Sequence, residues 1–191
     1  MDPTSTPSPK SPLKGWQFSW GGWLDNRHGE WWLLAQLLLI AATLFPAWPA
    51  PGSWGYAWPL PFALAGALLF LVGLLLAAQA FWRLGPSLTP LPDPKPGAVL
   101  VTSGAYGRCR HPLYQAVLLC ELGVAFALGS LFHLGLFLAL AVVLGGKARR
   151  EERLLVPLHL EYVSYRRTTP AILPGLPWFC LLYTSPSPRD S

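Results

Sequence analysis

The chain has 191 residues, of which 52% are hydrophobic and only 12% charged, against about 25% charged in ordinary soluble domains. That composition predicts an integral membrane protein, and a formal net charge of +5, scattered along the chain, excludes a nucleic-acid partner. Cys109, Cys120 and Cys180 show no C-x-x-C spacing, and His28, His111, His133 and His159 are dispersed, so neither a disulfide framework nor a metal site is expected.

Residues 1–15, "MDPTSTPSPKSPLKG", are rich in Pro and Ser, cannot bury a core, and read as a disordered tail. They lack the apolar run and cleavage site of a secretory signal. The aromatic stretch "WQFSWGGWLDNRHGEWW" that follows suits the headgroup zone of a bilayer. One membrane domain is expected over residues 16–179, all-α, with about four hydrophobic helices. They cover residues 31–45, 59–82, 113–128 and 131–145. The second is long enough to span at about 20 residues. The third and fourth are short and meet at Gly129 and Ser130, which predicts a helical hairpin over 113–145, followed by a cytoplasmic helix.

Charge sets the expected topology. Lys and Arg precede the first segment, populate residues 83–112 and recur after residue 146, whereas "PAWPAPGSWGYAW" between the first two segments has no charge. The positive-inside rule then places both termini and both charged regions on the cytoplasmic side of a multi-pass protein. The final "CLLYTSPSPRDS", residues 180–191, resembles a translated sequencing adapter rather than protein. It carries no functional weight, and the natural chain is expected to run on past Phe179.

Candidate chemistry gathers in the two charged regions. Pro86, Pro90, Pro92, Pro94 and Pro96 forbid a helix between the second and third segments. Pro112 suits the first turn of the third. Arg110 and His111 just before it stand beside free backbone N–H groups at a positive helix end, a place that attracts an anion; headgroup anchoring is the plainer reading. Glu151 and Glu152 sit among Lys147, Arg149, Arg150 and Arg153, either in local ion pairs or facing a cationic ligand. Tyr162 and Tyr165 share a helical face. Glu121 and His133 fall inside hydrophobic segments, where Glu121 is a functional candidate by position and His133 lies near the hairpin turn, within reach of water. Gln36 and Gln79 read as helix-packing hydrogen bonders.

In order, "SLTPLPDPKPGAVLVTSGAYGRCRHPLY", a hydrophobic hairpin, "EERLL" and "LEYVSYRRTTPAILP" resemble the integral-membrane isoprenylcysteine carboxyl methyltransferase and phospholipid methyltransferase superfamily over about residues 85–174. The resemblance implies an S-adenosylmethionine-dependent methyltransferase whose cofactor lies between the R-H-P-x-Y loop and the E-E helix. Carried onto this chain, Arg110, His111, Pro112, Tyr114, Glu151 and Glu152 would bind the cofactor, and Tyr162 and Tyr165 the substrate. Gly107 and Gln115 depart from the family's usual basic and small residues. The implied acceptor is lipophilic or prenylated and enters from the membrane lipids, between the hairpin and the second segment. An isoprenylcysteine-type carboxylate, held by Arg166 and Arg167, is the first reading. Phospholipid ethanolamine N-methylation is the alternative, with Glu121, Glu151 or Glu152 as base. A non-enzymatic membrane scaffold or transporter subunit is the competing class.

Overall fold

Gly29 sets the start of the first described helix, because it holds a left-handed φ of 80° that other residues resist. The computed structural model describes residues 25–26, 29–93 and 99–172; the tail at 1–15 and the adapter-like segment at 180–191 lie outside them. Among the described residues there are five α-helices and no strand: α1 (Glu30–Ala42), α2 (Leu60–Leu84), α3 (Pro112–Leu128), α4 (Leu131–Leu158) and α5 (Tyr162–Thr168). Between α2 and α3 the described backbone makes only short 3₁₀ turns, at Gly85–Ser87 and Gly104–Gly107, as the prolines dictate.

Two helices, α2 and α4, are long and apolar enough to cross a membrane. At 1.5 Å per residue, the 25 residues of α2 reach about 37 Å, more than the ~30 Å hydrocarbon core. The apolar helices α1 and α3 are shorter, with 13 and 17 residues. The residues that α2 buries are Gly66, Gly73 and Ala80, one line of small side chains along its length. A Cβ at Gly66 would stand 2.3 Å from the Ala127 amide nitrogen, and one at Gly73 would stand 2.6 Å from Cys120 Sγ. The backbones of α2 and α3 therefore touch, which is how helices associate where lipid removes the hydrophobic driving force. Most of the rest of α2, including Leu64, Leu68, Leu71 and Leu75, is exposed and suits lipid.

The predicted hairpin is present. Gly129 ends α3 with φ 59°, and Ser130 caps α4 by accepting from the His133 amide. The fourth segment is not short, however. It continues unbroken through the charged stretch as the 28-residue α4, so no separate helix carries Glu151 and Glu152. Lys, Arg and Glu are good helix formers, and the helix survives Gly146 because Trp32 fills the space a side chain would take: a Cβ there would meet Trp32 at 2.4 Å. Pro157 sits in the last turn of α4, and α5 follows as a separate short helix.

The core joins α3 and α4 through Leu118, Leu140, Leu144 and Ala148, with Ile172 closing it from the C-terminal side. At the hairpin turn, Trp58 Nε1 donates to the Phe126 carbonyl at 2.7 Å and the Trp48 amide donates to Ser130 Oγ at 3.1 Å. His133, expected within reach of water, is fully buried; its ring pairs with Ser130 Oγ at 2.9 Å and the Thr43 carbonyl at 3.3 Å. Gln36 does bond between helices, to Lys147 Nζ, whereas Gln79 is exposed.

Candidate active site

The site forms where the start of α3 meets the last turns of α4, brought side by side by the Gly129–Ser130 turn. Residues just before α3 run extended along the C-terminal segment: the Arg110 amide donates to the Pro170 carbonyl and the His111 amide to the Ala171 carbonyl, both at 2.9 Å. The Cys109 thiol donates to Ala171 and Ile172 carbonyls, and its burial pushes its pKa up to about 11. His111 then caps α3 and Pro112 opens it. Two adjacent side chains are thereby aimed at α4.

Arg110 is engaged on every side. Its Nε and Nη2 both lie 2.9 Å from Glu152 Oε1, and Nη1 donates to the carbonyls of Arg166 and Thr169. His111 sits between the two carboxylates, with Nε2 3.1 Å from Glu152 Oε1 and Nδ1 3.3 Å from Glu151 Oε2. Burial alone would lower the pKa of this imidazole, but the hydrogen bonds and charges of Glu151 and Glu152 outweigh it and push the value up to about 9. His111 is therefore cationic at neutral pH. Tyr114 stacks on the His111 ring, centroids 5.3 Å apart, and donates its hydroxyl to Glu151. Behind it, the Lys147 ammonium lies 5.3 Å from the Tyr114 ring centre. That buried lysine donates to Gln36 Oε1 at 2.9 Å and to the Pro90 carbonyl at 2.7 Å, tying α1 and the residues after α2 to α4.

These groups wall an open cleft. Arg110, His111, Tyr114, Glu151, Tyr162 and Tyr165 all line it, so most of the site residues predicted from the sequence come together. Glu152 stands behind them, holding Arg110 and His111, and Pro112 is buried in the helix start. Arg166 contributes its backbone carbonyl to Arg110; neither its side chain nor that of Arg167 lines the cleft. Glu121 is buried more than two turns along α3, away from the cleft, and its Oε1 has no hydrogen-bond partner among the described residues.

Three lining or supporting residues escape sequence reasoning: Tyr106, Lys147 and His159. Tyr106 is buried in the Gly104–Gly107 turn, where its carbonyl accepts the Tyr165 hydroxyl. Lys147 precedes Glu151 by four residues, a spacing that signals a shared helical face. A lone histidine after Pro157 carries no such signal. Tyr162 is only 1% exposed and its hydroxyl has no partner among the described residues. Burial pushes the hydroxyl pKa values of Tyr106, Tyr162 and Tyr165 up, Tyr165 to about 12, so all three stay neutral phenols.

Comparison with known proteins gives a concordant result. Residues 62–158, just over half the chain, match the family model described as phospholipid methyltransferase; the match takes in α2, α3, α4 and the loop between α2 and α3. The cobalt-zinc-cadmium resistance protein CzcN of Cupriavidus metallidurans is 34% identical over 159 residues, covering 80% of this chain and 68% of that protein. The nickel-cobalt-cadmium resistance protein NccN of Alcaligenes xylosoxydans xylosoxydans is 32% identical over 157 residues, covering 81% and 67%. The chain belongs to the phospholipid methyltransferase family, within the superfamily that its motifs resemble.

Proposed function

We propose that the protein is an integral-membrane methyltransferase that uses S-adenosylmethionine to methylate a lipophilic acceptor. The observation that carries this reading is His111, held cationic between two carboxylates on the wall of an open cleft. Such an arrangement fits the amino-acid end of the cofactor: His111 at the start of α3 suits a carboxylate, and Glu151 suits an ammonium. The orphaned hydroxyl of Tyr162 is a further polar contact for a ligand, since a buried hydroxyl left unpaired costs about 1–3 kcal/mol. When bound, the cofactor supplies the methyl group as an activated electrophile. The chain's own residues bind, orient and exclude water. Arg110, itself on the wall, fixes Glu152 and hence His111.

Support for the side of entry comes from the lining. The close approach of α2 to α3 at Gly66 and Gly73 argues against entry between those two helices. The apolar lining residues Leu84, Val101 and Leu113 support entry at the end of α2 and the start of α3 instead. The charge pattern supports a cytoplasmic side for this end and for both termini.

Of the two acceptors, the amine of an ethanolamine-type lipid suits the cleft better than an isoprenylcysteine-type carboxylate. A carboxylate needs a cation, yet Arg166 and Arg167 do not line the cleft and Arg110 is engaged with Glu152 and backbone carbonyls. An ammonium finds the aromatic side chains of Tyr106, Tyr162 and Tyr165 among the lining residues, a residue type that attracts cations. The relatives are named for metal resistance.

Titration of the full chain in detergent with S-adenosylmethionine tests the reading. Micromolar affinity is expected, weakened more than about tenfold, or about 1.4 kcal/mol, by His111→Gln or Glu151→Gln. A folded wild type that gives no binding heat would refute it in favour of a scaffold or transporter subunit.

A further inference from the structure

Methylating an amine requires the ammonium to shed a proton before its lone pair can react, whereas a carboxylate at neutral pH needs no base. The cleft must then hold a proton acceptor, and most of its titratable groups are disqualified by their partners. On α4, Glu151 already accepts the Tyr114 hydroxyl and faces the His111 imidazolium. Glu152, also on α4, is held by Arg110 and His111 and does not line the cleft. His111 already carries its proton, the Arg110 guanidinium is a donor with no acceptor site, and Tyr106, Tyr114, Tyr162 and Tyr165 are neutral phenols held above their ordinary range by burial. Glu121 is out of reach in α3.

One lining group is left. His159 ends α4 and lines the cleft beside Leu155 and Tyr162. Its carbonyl accepts the Tyr162 amide at 3.0 Å, which places it one turn before Tyr162, whose buried hydroxyl lacks a partner. Glu161, largely exposed on the solvent side, stands 3.7 Å from His159 Nδ1. A carboxylate there favours the tautomer with the proton on Nδ1 and leaves Nε2 as acceptor.

We propose that His159 is the catalytic base of this methyltransferase, taking the proton of a lipid amine whose headgroup seats against the Tyr162 hydroxyl. The proposal rests on the methyltransferase reading above. The ammonium gives one N–H proton to His159 Nε2. The freed lone pair forms the new N–C bond to the sulfonium's methyl carbon as the C–S bond breaks and its electron pair stays on sulfur, leaving a neutral thioether. His159 then returns its proton to water.

The test uses the full chain in lipid nanodiscs, with dioleoylphosphatidylethanolamine as the amine probe and N-acetyl-S-farnesylcysteine as the carboxylate probe. His159→Gln is expected to bind S-adenosylmethionine within about threefold of wild type by calorimetry, which also shows that it folds. Its kcat on the amine lipid should fall about 100-fold or more with KM little changed, and the acid limb of the wild-type pH profile should vanish. Free imidazole should restore turnover to His159→Gly. His159→Gln that keeps kcat within about threefold overturns the proposal, as does a wild type that binds the cofactor but methylates only the carboxylate probe or neither. A wild type that binds no S-adenosylmethionine refutes the methyltransferase reading itself.

Discussion

Replacing Glu152 with Gln tests whether the buried charge cluster is one cooperative unit. Glu152 Oε1 accepts from Arg110 Nε and Nη2 and from His111 Nε2, and the Arg110 and Glu152 side chains are only 2% and 13% exposed. Gln keeps the shape and one acceptor but removes the charge that faces Arg110 and His111. Breaking a buried pair by removing one partner costs about 3–5 kcal/mol. The retained amide oxygen offsets part of this, so about 3 kcal/mol is expected. For a chain of this size 1 kcal/mol corresponds to about 2–4 °C in Tm, which gives a fall of about 6–12 °C, read from tryptophan fluorescence on heating in detergent. Arg110→Gln should cost at least as much, because it also deprives the carbonyls of Arg166 and Thr169 of their donor. The double variant should then be less damaged than the two losses added together, with a coupling of about 1.5 kcal/mol or more. Additivity within about 0.5 kcal/mol would show that the guanidinium and carboxylate do not act on each other, and the description of the site would fall with it.

Stability should also depend on pH through His111. Its pKa rises from 6.5 to about 9 on folding, so the folded state binds the proton more tightly; the stabilisation is complete below about pH 6.5 and lost as pH climbs through about 9, amounting to about 3 kcal/mol in all. A flat profile across that window, or the same decline in His111→Gln, would refute the assignment. Gly66→Leu should force α2 away from α3, since even a Cβ would stand 2.5 Å from the Gly123 carbonyl oxygen. A loss of about 2–3 kcal/mol or more is expected, and an unchanged Tm would contradict the close approach. Lys147→Met removes the donor to Gln36 and to the Pro90 carbonyl, so amide exchange over residues 88–92 should quicken at least about tenfold, matching a loss of about 1.4 kcal/mol or more. Unchanged exchange there would show that the lysine does not hold this wall.

Much of the site is legible in the sequence because it is local at two places. Arg110, His111 and Tyr114 lie within five residues, Glu151 and Glu152 are adjacent, and a turn marked by Gly129 and Ser130 is enough to bring them together. What escapes is tertiary. A run of charges after Gly146 looks like the end of a membrane helix, but polarity does not break a helix, and α4 passes straight through it. Arg110 reads as a cation available to a ligand, yet its donors go to Glu152 and to carbonyls more than fifty residues away. Arg166 and Arg167 adjoin the tyrosine pair in sequence, whereas the short α5 turns Tyr162 and Tyr165 to the cleft and leaves both arginines off its wall. Lys147 reads as a topology signal but is 2% exposed, its ammonium fixed by groups on elements that no local pattern connects.

The lengths of α3 and α4 explain why the cluster lies where it does. The 17 residues of α3 rise about 26 Å, and the apolar part of α4, Leu131 to Gly146, rises about 24 Å. The two helices leave the same turn, so the point where α4 changes from apolar to charged is level with the start of α3, and Lys147 accordingly lies over Tyr114. Glu151 and Glu152 come one turn further, beyond the apolar layer, where His111 and Arg110 meet them. Two carboxylates, one guanidinium and one imidazolium leave no net charge, so the cluster can stand at the edge of a hydrocarbon layer without the cost of an isolated ion. The water-soluble cofactor and the lipid acceptor proposed above would have only such a boundary in common. Had α4 stopped at Gly145, as its hydrophobicity suggests, the carboxylates would have hung on a separate segment with nothing to hold them against His111. The unbroken helix is therefore the feature on which the site depends.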